Sequence, residues 1–307
     1  MHVFMRKREV VGLVSLLQSK SWISLKGLRY IKGKSMKNIK KLIAENGKPD
    51  IKVLPKIECV EGVENIDEII EVADGIMVAR GDLGVEVPAE DVPLIQKSII
   101  KKCNAAGKIV ITATQMLESM QENPRPTRAE VSDVANAILD GTDAIMLSGE
   151  SANGDWPVES VQTMAKIATE TEKKLNYETA VSKAKSHVPA ISGVISRAAC
   201  NAANELKAAA IVSSTKSGST ARRISQCRPE CPIVAVTPCE KIAKSLAFCF
   251  GVYPVVAEDQ NSTDAMMANA TKIAVENGFA KSGDTVVIAA GLDQVGSTNL
   301  LKVSVVE

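Results

Sequence analysis

Aromatic residues are scarce in this chain: 3% of 307 residues, as four Phe, three Tyr and two Trp. That argues against recognition of nucleic acid by base stacking. Net charge is nearly absent too, at +1, so no overall field attracts polyanions. No apolar run is long enough to cross a bilayer. Only two His occur, His2 and His187, and the seven Cys contain no C-x-x-C spacing, so a zinc site is not expected. An odd number of cysteines scattered through apolar segments fits a reducing compartment rather than a disulfide framework. Near the start, Arg6-Lys7-Arg8 precedes the short apolar run Val10–Leu17. The polar Gln18-Ser19-Lys20-Ser21 that follows is a poor cleavage site, so the chain is expected to be cytoplasmic, without secretion or membrane insertion.

What is present is an ordinary globular composition, 45% hydrophobic and 24% charged, in a length that suits one or two domains. From Ile51 a rhythm sets in. Short apolar runs (Ile51–Lys56, Ile76–Ala79, Ile109–Thr114, Ala144–Ser148) alternate with helical patterns at Val63–Ala73, Ala89–Ala106, Thr127–Leu139 and Pro157–Lys174. Thr127-x-x-Glu130 predicts a capping box, Gly107 and Gly141 predict helix stops, and Pro157 a first-turn position. Strands apolar on both faces belong to a parallel sheet covered by helices.

The chemically suggestive residues fall just past the ends of those strands: Lys56 and Glu58, Arg80-Gly81-Asp82, Thr114-Gln115, and Ser148 to Glu150. In an α/β barrel this is the catalytic face. Residues placed by packing alone have no reason to favour one end. Lys56 and Glu58 share a face of their strand, since alternate side chains point the same way. Parallel pairing of the first two runs would bring Glu58 and Asp82 to neighbouring strand ends, about 5 Å apart laterally. Two carboxylates so placed suit Mg²⁺ shared with substrate phosphates, with Lys56 as the adjacent cation. Taken alone, Lys-x-Glu is also an ordinary solvated pair, and Arg-Gly-Asp is a common tripeptide.

Two stretches read differently. Between Gln18 and Lys41 lie Lys20, Lys26, Arg29, Lys32, Lys34, Lys37, Lys40 and Lys41 with no acid among them. This is either an anionic-surface patch or an atypical insertion, ending in a helix over Lys37–Asn46 stopped by Gly47. After a polar connector at 175–190, a second α/β series follows, with strands at Ala209–Thr215, Ile233–Thr237, Val252–Val256, Asp284–Ala290 and Leu300–Val306. Its Ser213–Thr220 loop, rich in hydroxyls, runs into a helix and is either an anion nest or a plain polar turn.

The chain resembles pyruvate kinase from about Ile51 to its end. The likeness is carried by Ile51-Lys-Val-Leu-Pro-Lys56-Ile-Glu58, Gly75-Ile-Met-Val-Ala-Arg80-Gly-Asp82-Leu-Gly, Ala113-Thr114-Gln-Met-Leu-Glu118-Ser-Met, Pro124-Arg-Pro-Thr-Arg-Ala-Glu130 and Ile145-Met-Leu-Ser148-Gly-Glu150. The resemblance implies the last step of glycolysis, phosphoenolpyruvate plus ADP giving pyruvate plus ATP, with Mg²⁺ or Mn²⁺ and K⁺. It implies Lys56 as the catalytic lysine, Glu58 and Asp82 as metal ligands, and Gly81, Asp82 and Thr114, with Lys56, as substrate contacts. In the second series it implies a loop for the phosphate of a sugar-phosphate effector at Thr215, Ser217, Gly218 and Thr220. It also implies a homo-oligomer, usually a tetramer. Cys59 stands where the signature usually has a polar residue, and the loop Leu292–Ser297 is shorter than usual.

The expected architecture is a partial TIM (β/α)8 barrel followed by an open-sheet α/β domain. Residues 1–50 would be a strand remnant plus the lysine-rich segment, 51–175 the C-terminal half of the barrel, and 190–307 the second domain. Met1–Lys7 resembles the end of a barrel strand, and the lysine-rich stretch has no counterpart in the family. Four or five parallel strands cannot close an eight-stranded barrel. The K⁺ site, part of the nucleotide site and a lid would lie in a front part that this sequence does not match. Three readings follow: an enzyme whose barrel another polypeptide completes, a truncated and catalytically incomplete form, or a sugar-phosphate-binding or assembly module.

Overall fold

The computed structural model describes residues 3–4, 22–25, 33–47, 49–177, 190–260, 262–291 and 298–307, with side chains from Met36 onward. The expectations for His2, Met5–Lys7, Arg6 to Ser21, Lys26, Arg29, Lys32, most of the 175–190 connector with His187, and Leu292–Ser297 lie outside the described residues. The chain divides into two compact units, Met1–Leu175 and Asn176–Glu307.

The first unit is built on strands β1 (Val3–Phe4), β2 (Trp22–Leu25), β3 (Lys52–Ile57), β4 (Gly75–Ala79), β5 (Ile109–Ala113) and β6 (Ala144–Leu147). Their order across the sheet is β1-β6-β5-β4-β3-β2. From β2 to β6 every neighbouring pair is parallel, as the apolar runs require. Residues of β4, β5 and β6 are buried without exception. This is the expected partial barrel.

Helices α1 (Gly33–Glu45), α2 (Val60–Glu64), α3 (Ile66–Val72), α4 (Arg80–Glu86), α5 (Val92–Ala106), α6 (Arg128–Asp140), α7 (Gly149–Ala152) and α8 (Pro157–Glu172) complete the unit. Met36 of α1, Ile66, Ile69 and Ile70 of α3, and Ile99, Ile100 and Cys103 of α5 close over Val53, Ile57, Ile76, Val78 and Val110. A second cluster joins Val134, Ala137 and Ile138 of α6 and Met164 and Ile167 of α8 to Ile145 and Leu147.

Four expectations change. The helix over Val63–Ala73 is two helices broken at Asn65. The Asn65 side chain donates to the Glu61 carbonyl at 2.7 Å, competing with the helical backbone. The lysine-rich stretch is not an insertion throughout: Trp22–Leu25 pairs in parallel register with Lys52–Pro55. α1 adds its apolar face to the core, and Lys40 pairs with Asp74 at 2.9 Å, which removes it from any anionic-surface patch. Val3–Phe4 is not the end of a parallel barrel strand, since it pairs antiparallel with Met146 and Leu147. An edge strand that is apolar on both faces accepts an extended apolar segment in either direction. Finally, a helix that the sequence reading does not include, α4, begins at Arg80 directly after β4, ahead of the helix read from Ala89.

The caps follow the sequence. Thr127 and Glu130 form the reciprocal capping box of α6. Pro157 opens α8, and Gly107 and Gly141 take left-handed conformations after α5 and α6.

The second unit has strands β7 (Ala210–Ser214), β8 (Ile233–Thr237), β9 (Val252–Val256), β10 (Thr285–Ala290) and β11 (Leu300–Val305) in the order β11-β10-β7-β8-β9. All pairs are parallel except β10–β11. Helices α9 (Ile191–Glu205), α10 (Ser219–Gln226), α11 (Glu240–Leu246) and α12 (Thr263–Glu276) accompany it. It is the expected open α/β sheet, with β7 and β10 at the point where the strand order reverses.

Candidate active site

β3 and β4 pair so that Lys56 stands opposite Met77 and Ile57 opposite Val78. Lys56 and Glu58 therefore leave the end of β3 beside the start of α4, which carries Asp82. Lys56 Nζ lies 3.0 Å from Glu58 Oε2 and 3.1 Å from Asp82 Oδ2. The lysine side chain is 12% exposed and that of Glu58 18%, whereas Asp82 is 50% exposed and turns toward solvent. Burial disfavours the Lys56 ammonium, but its hydrogen bonds to Glu58 and Asp82 and their charges outweigh it, and the pKa is raised. One cation between two carboxylates leaves an excess negative charge. That donor set fits a hard divalent cation, which takes one or two carboxylates and completes its shell with water and substrate oxygens. Among the described residues no group of three or more His, Cys, Asp or Glu is placed to hold a metal ion.

Thr114 is the next neighbour, past the end of β5. Its Oγ1 accepts from the Gly81 amide at 2.9 Å. Thr114 and Gln115 both have positive φ, 66° and 53°. For a β-branched threonine this is a rare conformation that needs outside support. Lys56, Glu58, Gly81, Asp82 and Thr114 thus come together from three adjacent strand ends. The Gly81 amide, expected to face a substrate carboxylate, is here bonded to Thr114.

The sequence reading marks Arg80 and Glu150 among the strand-end residues but gives neither a role; the structure shows that they hold this arrangement. Arg80, 8% exposed, reaches the carbonyls of Thr114 and Gln115 and pairs with Asp133 at 2.7 Å. Glu150, fully buried, accepts from the amides of Leu117 and Ser148, which makes it an anchor for two strand-end loops. Nearby, burial and then the charge of Glu150 push the Glu118 carboxyl up. Their place just past the ends of apolar strand runs is the sequence signal for both Arg80 and Glu150.

In the second unit the Ser/Thr loop bends at Gly218, left-handed at φ 80°. Thr215 and Thr220 are buried. Thr215 Oγ1 accepts from the Gly218 amide at 3.0 Å, and the Thr220 hydroxyl bonds that of Thr298 at 2.7 Å. Ser217 is exposed and bonds Ser219 at 3.2 Å. Lys216 pairs with Asp259. All four residues expected to meet an effector phosphate therefore have partners: Thr215, Gly218 and Ser217 within the loop, and Thr220 in Thr298.

A parallel α/β sheet of barrel type, with a lysine between two carboxylates at its strand ends, joined to an open α/β unit, defines a two-unit α/β protein with a cluster of charged side chains at its strand ends. Comparison with known proteins sharpens this. Residues 23–161 match the pyruvate kinase barrel domain, and residues 193–304 match the pyruvate kinase alpha/beta domain. The barrel match starts inside the lysine-rich stretch, which therefore has a counterpart in the family. A pyruvate kinase of Clostridium acetobutylicum is 57% identical over 272 residues, covering 88% of this chain and 58% of that protein. Those of Bacillus licheniformis and Geobacillus stearothermophilus are each 54% identical, covering 87% of this chain and 46% of each protein. The chain belongs to the pyruvate kinase family. It spans about half the length of the curated relatives it matches.

Proposed function

We propose that this chain carries pyruvate kinase-type phosphoryl transfer, in which phosphoenolpyruvate and ADP give pyruvate and ATP as the last step of glycolysis. The observation that carries the reading is Lys56 held at 3.0 and 3.1 Å between Glu58 and Asp82, at neighbouring strand ends. Phosphoryl transfer asks for alignment and charge neutralisation more than covalent help from the protein. The Lys56 ammonium, kept protonated by its two carboxylates, stabilises the phosphoryl group between donor and acceptor. Glu58 and Asp82 are the residues that would hold Mg²⁺ or Mn²⁺, which when bound supplies neutralisation of phosphate oxygens. The substrate carboxylate replaces Thr114 Oγ1 as acceptor at the Gly81 amide. The Thr114 hydroxyl is thereby freed beside the reacting carbon.

K⁺, a homo-oligomeric state and a cytoplasmic setting belong to the same proposal. They are supported by family membership alone, and no described residue is assigned to K⁺. Among the described residues no helix is long and apolar enough to cross a membrane. A sugar-phosphate effector is proposed at the Ser/Thr loop, with exposed Ser217 and Lys216 as its first contacts and Thr215, Gly218 and Thr220 as the frame.

The test is ADP-dependent pyruvate formation by the purified chain with Mg²⁺ and K⁺, beside Lys56→Ala. Turnover in the parent chain that is lost in the variant is the expected result. A folded chain that neither turns over nor binds phosphoenolpyruvate in a Mg²⁺-dependent way would overturn the proposal.

A further inference from the structure

We propose that Arg80 is a positioning residue: its buried guanidinium, pinned by Asp133, holds the Thr114–Gln115 turn left-handed and so aims the Thr114 hydroxyl at the Gly81 amide. The use of that hydroxyl for substrate rests on the function proposed above. The mechanical role of Arg80 does not.

Only four non-glycine residues among those described have positive φ, and Thr114 and Gln115 are the only consecutive pair. No glycine relieves this turn, so its conformation is imposed by its surroundings. The surroundings consist chiefly of one side chain. Arg80 Nε and Nη2 donate to the Thr114 carbonyl at 3.2 and 2.9 Å, and Nη2 donates to the Gln115 carbonyl at 2.9 Å. On the other side Nη1 meets Asp133 Oδ1 at 2.7 Å and Gln96 Oε1 at 3.3 Å. Two consecutive left-handed residues turn their carbonyls toward one donor. A right-handed turn would point them elsewhere and take these carbonyl acceptors from Nε and Nη2 of a buried guanidinium.

The arrangement needs an arginine. Its planar fork reaches two carbonyls and a carboxylate together, which a lysine ammonium does not. Chain connectivity adds a second grip, because Gly81 follows Arg80 directly and its amide holds the Thr114 hydroxyl. The turn is therefore clasped twice from adjacent residues, through its carbonyls by a side chain and through its hydroxyl by a main-chain N–H.

The test uses amide hydrogen exchange of the full chain without substrate. Peptides spanning Gly81 and Leu117 are followed, with peptides of β7 and β8 as an internal control for folding. Arg80→Lys should speed exchange about tenfold at Gly81 and across 113–118, leaving the control unchanged. Adding Gln115→Gly, which accepts positive φ without strain, should recover most of that protection. If Arg80 merely filled space, exchange would rise throughout the first unit and Gln115→Gly would restore nothing, which would overturn the proposal. Unchanged exchange in Arg80→Lys would overturn it as well. Asp133→Asn, which keeps the arginine but loosens its anchor, should show the same local signature more weakly, and serves if Arg80→Lys does not fold. Binding of phosphoenolpyruvate with Mn²⁺ is measured in parallel. Its absence from the parent chain would count against the proposed function and leave the exchange result standing.

Discussion

The Gly81 amide donates to Thr114 Oγ1 at 2.9 Å, and a methyl group built on Gly81 would stand 3.1 Å from that same oxygen. Neither atom can yield without moving the left-handed turn. Gly81→Ala should therefore displace Thr114 and weaken Mg²⁺-dependent phosphoenolpyruvate binding. Overpacking of this kind costs about 1–3 kcal/mol. Thermal unfolding together with a substrate titration checks this. A variant that binds and unfolds like the parent would contradict it.

Lys56→Met removes the cation from between Glu58 and Asp82 and leaves the largely buried Glu58 facing another carboxylate. Turnover should fall by about 10²–10³-fold or more. The stability contribution of Lys56 has a sign fixed by its raised folded pKa. It is complete below the ordinary lysine value of 10.5 and is lost as pH rises through the higher folded value. Urea unfolding of parent and variant at pH 8 and above pH 11 should show the gap between them narrowing at high pH. A constant or widening gap would refute the assignment.

Glu130 works at the acid end of the scale. Burial raises its pKa, but hydrogen bonds from the Ser119 hydroxyl and amide and from Thr127 win, and the pKa is lowered from 4.5. Its contribution is therefore present above pH 4.5 and lost as pH falls through the lower folded value. Glu130→Gln should raise the pH of acid unfolding, and Thr127→Ala should cost about 1 kcal/mol through the lost cap. Acid titrations followed by far-ultraviolet circular dichroism report both.

The thiols divide by burial. All seven cysteines are thiols rather than disulfide halves; Cys239 is exposed and the other six are buried. An aromatic disulfide reagent should titrate one thiol rapidly in the native chain and the remaining six only after unfolding. Cys239→Ser should abolish the fast phase. Burial also pushes the Cys103 thiol far up, so alkaline buffer below the unfolding range should not bring it into reaction.

Much of this molecule is legible in its sequence because much of it is periodic. Apolar runs announce β3 to β6, and Thr127-x-x-Glu130, Pro157, Gly107 and Gly141 mark helix ends through local chemistry that holds wherever those residues stand. The placement of Lys56, Glu58, Asp82 and Thr114 at strand ends is readable for the same reason. What is not periodic stays hidden. The left-handed turn at Thr114 leaves no glycine as a trace, and the arginine that supports it is 34 residues away. The break at Asn65 depends on one side chain choosing a carbonyl over solvent. β2 is masked by the lysines around it, since charge in the flanks outweighs four residues of strand in any compositional reading. The direction of β1 is set by an available edge, and a two-residue segment carries no direction of its own.

The hydroxyls of Thr220 and Thr298 meet at 2.7 Å across 78 residues of chain, and both side chains are buried. They work as a latch with one bolt. Any group that bonded Thr220 in place of Thr298 would leave a buried hydroxyl without this partner shortly before β11. One hydrogen bond thus ties the loop after β7 to the approach to the final strand of the sheet.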